Sequence, residues 1–537
     1  MTPHDLIAAF DSVAEAPDGV VRLRELVLQL AVRGKLVPQV PADEPASVLL
    51  ARIAAEKDEL ACGGRLRRQK MRGSAPESVF EVPQGWLAVW LGDIVDLEYG
   101  KSLPAKARDD VGVVPVYGSN GVVGRHDVAL VTEPCVVVGR KGSAGAINIS
   151  ASACWPIDTT YFICPRAGMP LKYLALVLTA ARLGELDRAT AIPGLNREEV
   201  YALPVLLPPL AEQDRIVARV DELMDLLDQL EAARTTRDGT RAAFRDSVLD
   251  TLREAETPDE VEVAWNRFAE RMDDLLCEPA DIAPLRQTLF ELAVRGRLVP
   301  QDPTDEPASV LLERIAADRA AAVAAKLTRM GDDPGGYDEE DTLPVGWEWA
   351  PLQDVVQFID YRGKTPPKTP NGVRLITAKN IRDSYVTEDP REFVSPKTYE
   401  RWMTRGFPKK GDVLFTTEAP MGKAALVAFS ERFALAQRAI NLHPYADLDS
   451  KYLMWMLLSP WFQERLRKRA TGMTATGIKG AKLRLIRVPI PPVHEQHRIV
   501  ARVDELMGLL DRLEARLTAA RTAHGAFAAA AVHHLDA

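Results

Sequence analysis

The chain has 537 residues, of which 47% are apolar and 27% charged, and these shares are typical of a folded protein rather than a disordered one. Its length is too great for one ordinary core and predicts three or four domains. Apolar runs are too short to cross a bilayer, and the N-terminus lacks the pattern of a secretory signal, so we expect a cytoplasmic protein. The five cysteines are scattered without a Cys-x-x-Cys pair, which argues against a zinc site and a disulfide framework.

The net charge of −9 would count against binding to nucleic acid if the charges were evenly spread. However, residues 206–344 carry 16 Lys and Arg against 32 Asp and Glu, whereas residues 345–490 carry 24 against 14. A basic module attached to an acidic frame is the charge pattern of a DNA-binding protein with protein partners. Residues 80–205 hold 11 basic and 13 acidic residues, so the overall charge of that segment gives no such indication.

An internal repeat defines the organisation of the chain. Four blocks of the first half return almost unchanged in the second half: 30–39 as 292–301, 43–50 as 305–312, 83–86 as 344–347, and 208–224 as 491–507. The inserts between the third and fourth blocks, about 97–205 and about 358–488, share little sequence that can be aligned. Similar frames around dissimilar inserts predict one scaffold that presents two different binding surfaces.

Both inserts have the sequence pattern of small α+β domains, with β-rich runs interrupted by glycine. The predicted strands are 111–117, 134–139 and 159–163 in the first insert, and 373–377 and 412–417 in the second. The predicted helices that follow these strands are 171–186 and 451–469.

The fourth block predicts a long helix in each half, starting after a Pro-Pro pair that cannot lie inside a helix. Apolar residues recur at alternating steps of four and three, which is the a/d pattern of a coiled coil. Two arrangements fit this pattern: the two helices pair as an antiparallel coiled coil, or each packs on the core of its own domain. The predicted seam residues are Ile216, Val220, Leu223, Leu227 and Leu230 in the first helix, and Ile499, Val503, Leu506, Leu510 and Leu513 in the second.

These patterns predict an α+β fold with an internal pseudo-twofold repeat, in which long helices separate two domains. The predicted segments are an N-terminal helical arm (1–79), a first domain (80–207), a central helix (208–260), a second arm that repeats the first (261–343), a second domain (344–490) and a C-terminal helix (491–537).

Sequence motifs for catalysis are not found. Two Gly-Lys-Ser/Thr tripeptides lack the first glycine of a P-loop, and neither an Asn/Asp-Pro-Pro-Tyr/Phe tetrad nor a nuclease motif occurs. His494 and His497 could suggest a metal ion, but their counterparts in the first copy are Ala211 and Asp214. We therefore expect no metal site and no catalytic residue.

The Pro-Pro-x-x-Glu-Gln-x-x-Ile-Val motif at 208–217 and 491–500 resembles the signature that closes each target-recognition domain in the specificity subunits of Type I restriction–modification enzymes. The Gly-Trp openings, Gly-Asp-Val-Leu-Phe at 411–415 and Ala-Thr-Gly at 470–472 fit the same family pattern. The Leu-Ala-Val-Arg-Gly-Lys/Arg-Leu-Val-Pro-Gln segments resemble the helical arms of longer members, such as the Type IB class. The resemblance covers essentially the whole chain.

The resemblance implies that each domain reads one half of a split, asymmetric target in double-stranded DNA. It implies that the helical regions hold the domains apart and dock two modification subunits, which bind S-adenosylmethionine and methylate adenine N6. Restriction subunits that use ATP and Mg to translocate and cut DNA would complete the complex. This chain would itself hold no cofactor.

Candidate DNA contacts are basic and polar side chains at turn-rich joins between strands, where they can reach phosphate or a base edge. Asn380 is a candidate for the N6/N7 edge of adenine. The candidates are Lys101, Tyr117, Ser119, Asn120, Arg140 and Lys141 in the first domain, and Arg362, Lys364, Lys379, Asn380, Arg382, Lys423 and Lys479 in the second.

Two other functions stay open at the level of sequence. A stand-alone DNA methyltransferase or nuclease with unfamiliar motifs would act on DNA without a partner. A coiled-coil scaffold with two modules that do not bind DNA is favoured by the charge balance of the first domain.

Overall fold

The computed structural model describes residues 12–64, 81–108, 111–186, 194–328, 342–361, 365–471 and 477–536. The chain divides into two compact units, Met1–Thr236 together with Arg521–Ala537, and Arg237–Ala520. Each unit contains helices and small sheets, so the predicted α+β class is confirmed. Within the described ranges, none of the helices combines the length and apolar character that crossing a bilayer requires.

The first unit contains an arm of two helices, the first domain and the start of a long helix. The arm helices are α1 (Gly19–Val32) and α2 (Ala46–Cys62). The strands are β1 (Leu87–Trp90), β2 (Glu98–Tyr99), β3 (Val114–Gly118), β4 (Gly121–His126), β5 (Cys135–Gly139), β6 (Ile147–Ser150), β7 (Trp155–Pro156), β8 (Thr160–Ile163) and β9 (Pro204–Leu207). The other helices are α3 (Leu91–Ile94), α4 (Leu171–Ala180), α5 (Arg197–Tyr201) and the long helix α6 (Leu210–Glu254).

The second unit repeats this order after two further helices. Those are α7 (Pro258–Ala269) and α8 (Met272–Leu275), followed by the arm helices α9 (Ile282–Val294) and α10 (Ala308–Ala324). The strands are β10 (Glu348–Pro351), β11 (Val356–Asp360), β12 (Val373–Ile376), β13 (Glu392–Val394), β14 (Val413–Thr417), β15 (Met421–Leu426), β16 (Phe433–Leu435), β17 (Ala439–Pro444) and β18 (Arg487–Ile490). The other helices are α11 (Leu352–Val355), α12 (Pro396–Trp402), α13 (Ser450–Leu458), α14 (Pro460–Arg469), α15 (Gly480–Arg484) and α16 (Val493–Asp536).

The two domains have the same strand order although their sequences differ. The four-stranded sheet is β2-β8-β5-β6 in the first domain and β11-β17-β14-β15 in the second. The three-stranded sheets are β4-β3-β7 and β13-β12-β16. Antiparallel pairs of β1 with β9 and of β10 with β18 join the start of each domain to its end. The internal repeat therefore extends through the inserts, which their sequences did not show.

Strand β5 illustrates why the inner strands are apolar on both faces. Val136 and Val138 face one core, which also contains the buried Tyr173 of α4. Cys135 and Val137 face a second cluster on the other side of the sheet. Successive side chains of a strand point to opposite faces, so a strand covered on both sides reads as a continuous apolar run.

The two predicted domain helices are shorter in the structure than in the sequence analysis. The first ends at Ala180 and is followed by a 3-10 turn at Leu183–Leu186. The second is divided into α13 and α14, because Pro460 has no N–H to continue the first helix and forces Ser459 into an extended conformation. The Ser459 hydroxyl then caps α14 by accepting a hydrogen bond from the backbone N–H of Phe462 (3.2 Å).

The long helices α6 and α16 each run through both units, and their contacts change along their length. In the first unit, Leu227 of α6 shares a buried cluster with Ala528 of α16. In the second unit, Leu249 of α6 shares a cluster with Leu506 and Leu510 of α16. Early residues of one helix thus meet late residues of the other, which is the contact order of an antiparallel pair.

The first seam residues of each helix do not take part in this pairing. Ile216 and Val220 lie in the core of the first domain, and Ile499 and Val503 lie in the core of the second. Both arrangements left open by the sequence therefore occur, one at the start of each helix and the other further along. The remaining seam residues are half-buried: Leu223, Leu230 and Leu513.

A buried glutamate joins the arm, the domain and the long helix of the first unit. Trp86 Nε1 donates a hydrogen bond to Glu212 Oε2 (3.0 Å), and Gln39 Nε2 donates to Glu212 Oε1 (3.3 Å) and to the carbonyl oxygen of Gly34 (2.7 Å). Burial raises the pKa of the Glu212 carboxyl, and the two hydrogen bonds oppose that rise. We call this group of Gly34, Gln39, Trp86 and Glu212 the first junction.

The second unit contains the same contacts at the repeated residues. Trp347 Nε1 donates to Glu495 Oε2 (3.0 Å), and Gln301 Nε2 donates to Glu495 Oε1 (3.2 Å) and to the carbonyl oxygen of Gly296 (2.5 Å). Burial again raises the pKa of the glutamate. We call this group the second junction. The two junctions explain why blocks that lie far apart in the chain are repeated together: their side chains meet at one point in each unit.

Candidate nucleic-acid interface

Thr159 lies where three of the predicted residues of the first domain meet. Its carbonyl oxygen accepts hydrogen bonds from the backbone N–H groups of Arg140 (2.9 Å) and Lys141 (3.2 Å), and from Ser119 Oγ (3.0 Å). Gly139 permits this close approach, because a Cβ there would lie only 2.8 Å from the carbonyl oxygen of Ser119. The turn between β3 and β4 and the end of β5 are therefore held together.

Lys101 is brought to the same place by the end of β2. Its backbone N–H donates to the carbonyl oxygen of Pro156 (3.0 Å), and its own carbonyl oxygen accepts from Trp155 Nε1 (2.9 Å). The backbone N–H of the neighbouring Gly100 donates to the carbonyl oxygen of Thr160 (3.1 Å), the residue after Thr159. We call the resulting surface the first-domain edge, formed by Lys101, Ser119, Asn120, Arg140 and Lys141.

The basic side chains of the first-domain edge have no carboxylate partner among the described residues. Lys101 and Lys141 are exposed, and neither forms an ion pair with a carboxylate in the described part of the chain. The Arg140 guanidinium donates to the backbone carbonyl oxygen of Asp158 (2.9 Å), which leaves its charge uncompensated. A domain with a balanced total charge thus carries a local positive surface, which its composition did not indicate.

Two predicted residues of the first domain make mainly internal contacts. The Ser119 hydroxyl donates to backbone carbonyl oxygens of Lys141 and Thr159, so its proton is used in holding the turn. Tyr117 is half-buried, and its hydroxyl donates to the carbonyl oxygen of Ile149 (3.2 Å). Asn120, at the tip of the β3–β4 turn, is exposed.

The second domain places its candidates around strands β14 and β15. The Thr417 carbonyl oxygen accepts from the backbone N–H of Ile478 (3.0 Å), which brings Lys479 to the end of β14. The Ser384 N–H donates to the carbonyl oxygen of Ala424 (2.8 Å), which brings the 379–383 turn beside β15. We call this surface the second-domain edge, formed by Lys379, Arg382, Lys423, Arg438 and Lys479.

Asn380 is fully buried, and the structure corrects the expectation that it reads adenine. Its Oδ1 accepts from Thr377 N (3.0 Å) and Thr377 Oγ1 (3.0 Å), and its Nδ2 donates to the carbonyl oxygens of Thr387 (3.2 Å) and Pro390 (2.9 Å). An asparagine is favoured in turns because its side chain bonds to nearby backbone, and that is its use here.

The basic side chains of the second-domain edge differ in whether a carboxylate pairs with them. Lys423 Nζ pairs with Asp383 Oδ2 (2.5 Å), and Arg438, which the sequence analysis missed, pairs with Glu418 (3.5 Å). The Arg382 guanidinium donates to backbone carbonyl oxygens, among them that of Ile381 (3.4 Å).

Lys379 and Lys479 differ from these side chains, because no contact of their ammonium groups with a carboxylate or a backbone carbonyl oxygen occurs among the described residues. Both are exposed, and neither has a carboxylate partner among the described residues. Arg362 and Lys364 lie outside the described residues. An ammonium group without a carboxylate partner can bind a phosphate without first breaking an ion pair, so these two lysines are the strongest candidates for phosphate contact.

The two edges carry exposed basic and hydrogen-bonding groups, which are suited to binding. Among the described residues, no group of three or more His, Cys, Asp or Glu side chains is placed to hold a metal ion. The fold and the edges therefore define a protein with two different basic surfaces on one repeated helical frame.

Comparison with known proteins identifies the family. A family model for the Type I restriction modification DNA specificity domain matches residues 83–237 and 344–520. The chain is 31% identical over 544 residues to the Type I restriction enzyme EcoAI specificity subunit of Escherichia coli, which covers 92% of this chain and 90% of that protein. It is 29% identical over 560 residues to the EcoEI specificity subunit of Escherichia coli, covering 94% and 91%. The chain belongs to the Type I restriction–modification DNA specificity family.

A solved structure is also similar to this chain. It comes from work on complex assembly and conformational transition of the type I R-M system. The match covers 85% of this chain and 99% of that chain, with 19% sequence identity and a TM-score of 0.48.

Replacing Lys379 and Lys479 together by alanine is expected to weaken duplex binding by the full chain and to make it less dependent on salt. Each lysine that contacts a phosphate contributes about 1 to the slope of log affinity against log salt concentration, so the slope should fall by about 2. Lys423→Ala is the matched control, because Asp383 already neutralises that lysine. A control slope reduced as much as that of the double variant would contradict this assignment.

Proposed function

We propose that this chain is the DNA sequence-specificity subunit of a Type I restriction–modification enzyme, and that each domain reads one half of a bipartite, asymmetric target. The observation that carries the proposal is the pair of domains with one strand order and different edge residues. A shared strand order would let both domains dock on the duplex in the same way. Different side chains at the edges would then contact different bases.

The proposal includes two modification subunits and additional restriction subunits as partners. Each unit carries the same junction of tryptophan, glutamine and glutamate, so the frame offers closely similar surfaces twice. The acidic segment 206–344, with 16 basic and 32 acidic residues, would repel DNA and suits contact with protein. S-adenosylmethionine, ATP and Mg would be bound by those partners, and this chain would have no catalytic activity of its own.

The purified chain is expected neither to methylate nor to cut DNA, and to direct methylation to one bipartite sequence when modification subunits are added. Transfer of labelled methyl groups to a random-sequence duplex pool, followed by sequencing, measures both properties. Methyl transfer or nicking by the chain alone would favour a stand-alone enzyme. Methylation that the chain neither stimulates nor directs would favour a scaffold whose domains do not bind DNA.

A further inference from the structure

Tyr99 is an aromatic side chain held at the surface beside the first-domain edge. It lies on β2, directly before Gly100 and Lys101, and 50% of the residue is exposed. Its ring centroid is 5.0 Å from that of Tyr161, which is buried and supports the ring from below. Exposing so much aromatic surface gives up burial that the core could provide, so an external contact for this ring has to be considered.

Two guanidinium groups lie over the Tyr99 ring. The Cζ of Arg140 is 5.2 Å from the ring centroid, and the Cζ of Arg197, at the start of α5, is 5.4 Å from it. Arg140 also lies 5.9 Å from the ring of Tyr161, and Arg197 lies 5.9 Å from the ring of Tyr201. Contacts of this kind fix the direction of each guanidinium and hold both beside the same exposed ring.

Neither guanidinium has a carboxylate partner within the described residues, in contrast to the paired Lys423 and Arg438 of the second domain. Two like charges beside one ring repel each other, and a bound anion would remove that repulsion. Lys101 and Lys141, which are exposed and have no carboxylate partner in the described part of the chain, lie on the same edge. A row of separate positive charges suits the regularly spaced phosphates of a nucleic acid better than a single small anion.

We propose that Tyr99 stacks on one base at an unstacked step of the half-site read by the first domain, with Arg140 and Arg197 contacting the phosphates on either side of that base. This inference rests on the proposed function and assigns one aromatic contact within it. Aromatic stacking on a base contributes about 1–3 kcal/mol, which corresponds to a roughly 5- to 150-fold change in affinity.

Among the described residues of the second domain, no exposed ring has two guanidinium groups over it. The nearest counterparts in that domain are Arg374, whose Cζ lies 5.2 Å from the ring of the half-buried Phe429, and Arg484, whose Cζ lies 4.4 Å from the ring of the buried Phe358. Each of these rings lies under one guanidinium rather than two, and neither residue is as exposed as Tyr99. The unstacked step should therefore occur only in the half-site that the first domain reads. A probe of base stacking should respond there and not in the other half-site.

The test uses the full chain assembled with its modification subunits and the target duplex found by methylation sequencing. The base analogue 2-aminopurine is placed at each position of the first half-site in turn. We expect its fluorescence to change on binding at one position, and the change to disappear with Tyr99→Ala but persist with Tyr99→Phe. Tyr99→Ala should weaken binding by roughly 5- to 150-fold, whereas Tyr99→Phe should stay within about threefold of the wild type.

Further variants separate stacking from folding and from the proposed function. Arg197→Gln leaves the ring in place and should lower the salt slope by about 1. Phe407→Ala removes an exposed aromatic residue of the second domain and should leave the signal of the first half-site unchanged. If the wild-type complex binds its target but no position responds, or if folded Tyr99→Ala binds equally tightly, the stacking proposal is overturned. A wild-type complex without any sequence preference would instead refute the proposed function and this inference with it.

Discussion

Gly34→Ala is expected to lower the melting temperature of the first unit by on the order of 10 °C. Gly34 has a φ of +69°, a left-handed conformation that costs a residue with a Cβ about 1–2 kcal/mol. A Cβ there would also lie 2.6 Å from Pro83 Cγ and 3.1 Å from Trp86 Cζ2. Such overpacking costs about 1–3 kcal/mol more, and each kcal/mol lowers the melting temperature of a unit of this size by about 2–4 °C.

Gly296→Ala should have the same effect on the second unit, because Gly296 has a φ of +65° and a Cβ there would lie 2.5 Å from Pro344 Cγ. Gly64→Ala is the matched control: Gly64 has the same φ as Gly34, +69°, but no atom of the described residues lies within 4 Å of its added Cβ. Calorimetry of the full chain should show the control losing only a few degrees. Equal losses in Gly34→Ala and Gly64→Ala would mean that the junction is not tightly packed.

The repeated frame was predictable because its evidence lies in the order of residues. A block of sequence that occurs twice must serve the same purpose twice, and Trp86, Glu212 and Gln39 all belong to such blocks. Their meeting in one buried junction was not predictable, since nothing in the sequence says which of these distant blocks are in contact. The same limit applies to the sheets, whose strand order depends on pairing between distant segments.

The sequence predicts where the basic turns lie relative to the strands, but not which of their charges are paired. Turn-rich basic segments do lie at the ends of strands, as expected for Lys101 and Lys141. Whether a charge is free depends on partners that are distant in sequence, as for Lys423 and Asp383, which are 40 residues apart. The sequence suggests a role in recognition for Asn380 because it gives the residue type and not the burial of the side chain.

The long helices show how periodicity can be correct while its interpretation is incomplete. The a/d pattern identifies the buried side of each helix from its first turn onward. It does not identify what covers that side. Val220 packs into a domain core and Leu227 into a helical cluster, although the two residues are one heptad apart and occupy the same position of the pattern.

Adding seven residues to both long helices is expected to increase the preferred spacer between the two half-sites by up to about three base pairs. We expect the bases read in each half-site to stay the same, because neither domain is altered. Suitable insertion points follow Thr236 in α6 and Ala520 in α16, where both helices pass from one unit to the other. Neighbouring residues there are mostly exposed, so the insertions should disturb little packing.

The expected size of the change follows from helix geometry. Seven residues lengthen a helix by roughly 10 Å and rotate it to within about 20° of two full turns, so the buried sides stay nearly aligned. Duplex DNA rises by about 3.4 Å per base pair, which converts this length into about three base pairs.

Methylation of a duplex library with spacers extended by zero to about four base pairs, in the presence of the modification subunits, measures the preference. The same insertion in only one helix is the control and should abolish activity. The two helices would then differ in length between their two contact clusters, so the Leu227 cluster and the Leu249 cluster could not both form. An active double-insertion variant that still methylates only the original spacer would show that these helices do not set the distance between the half-sites.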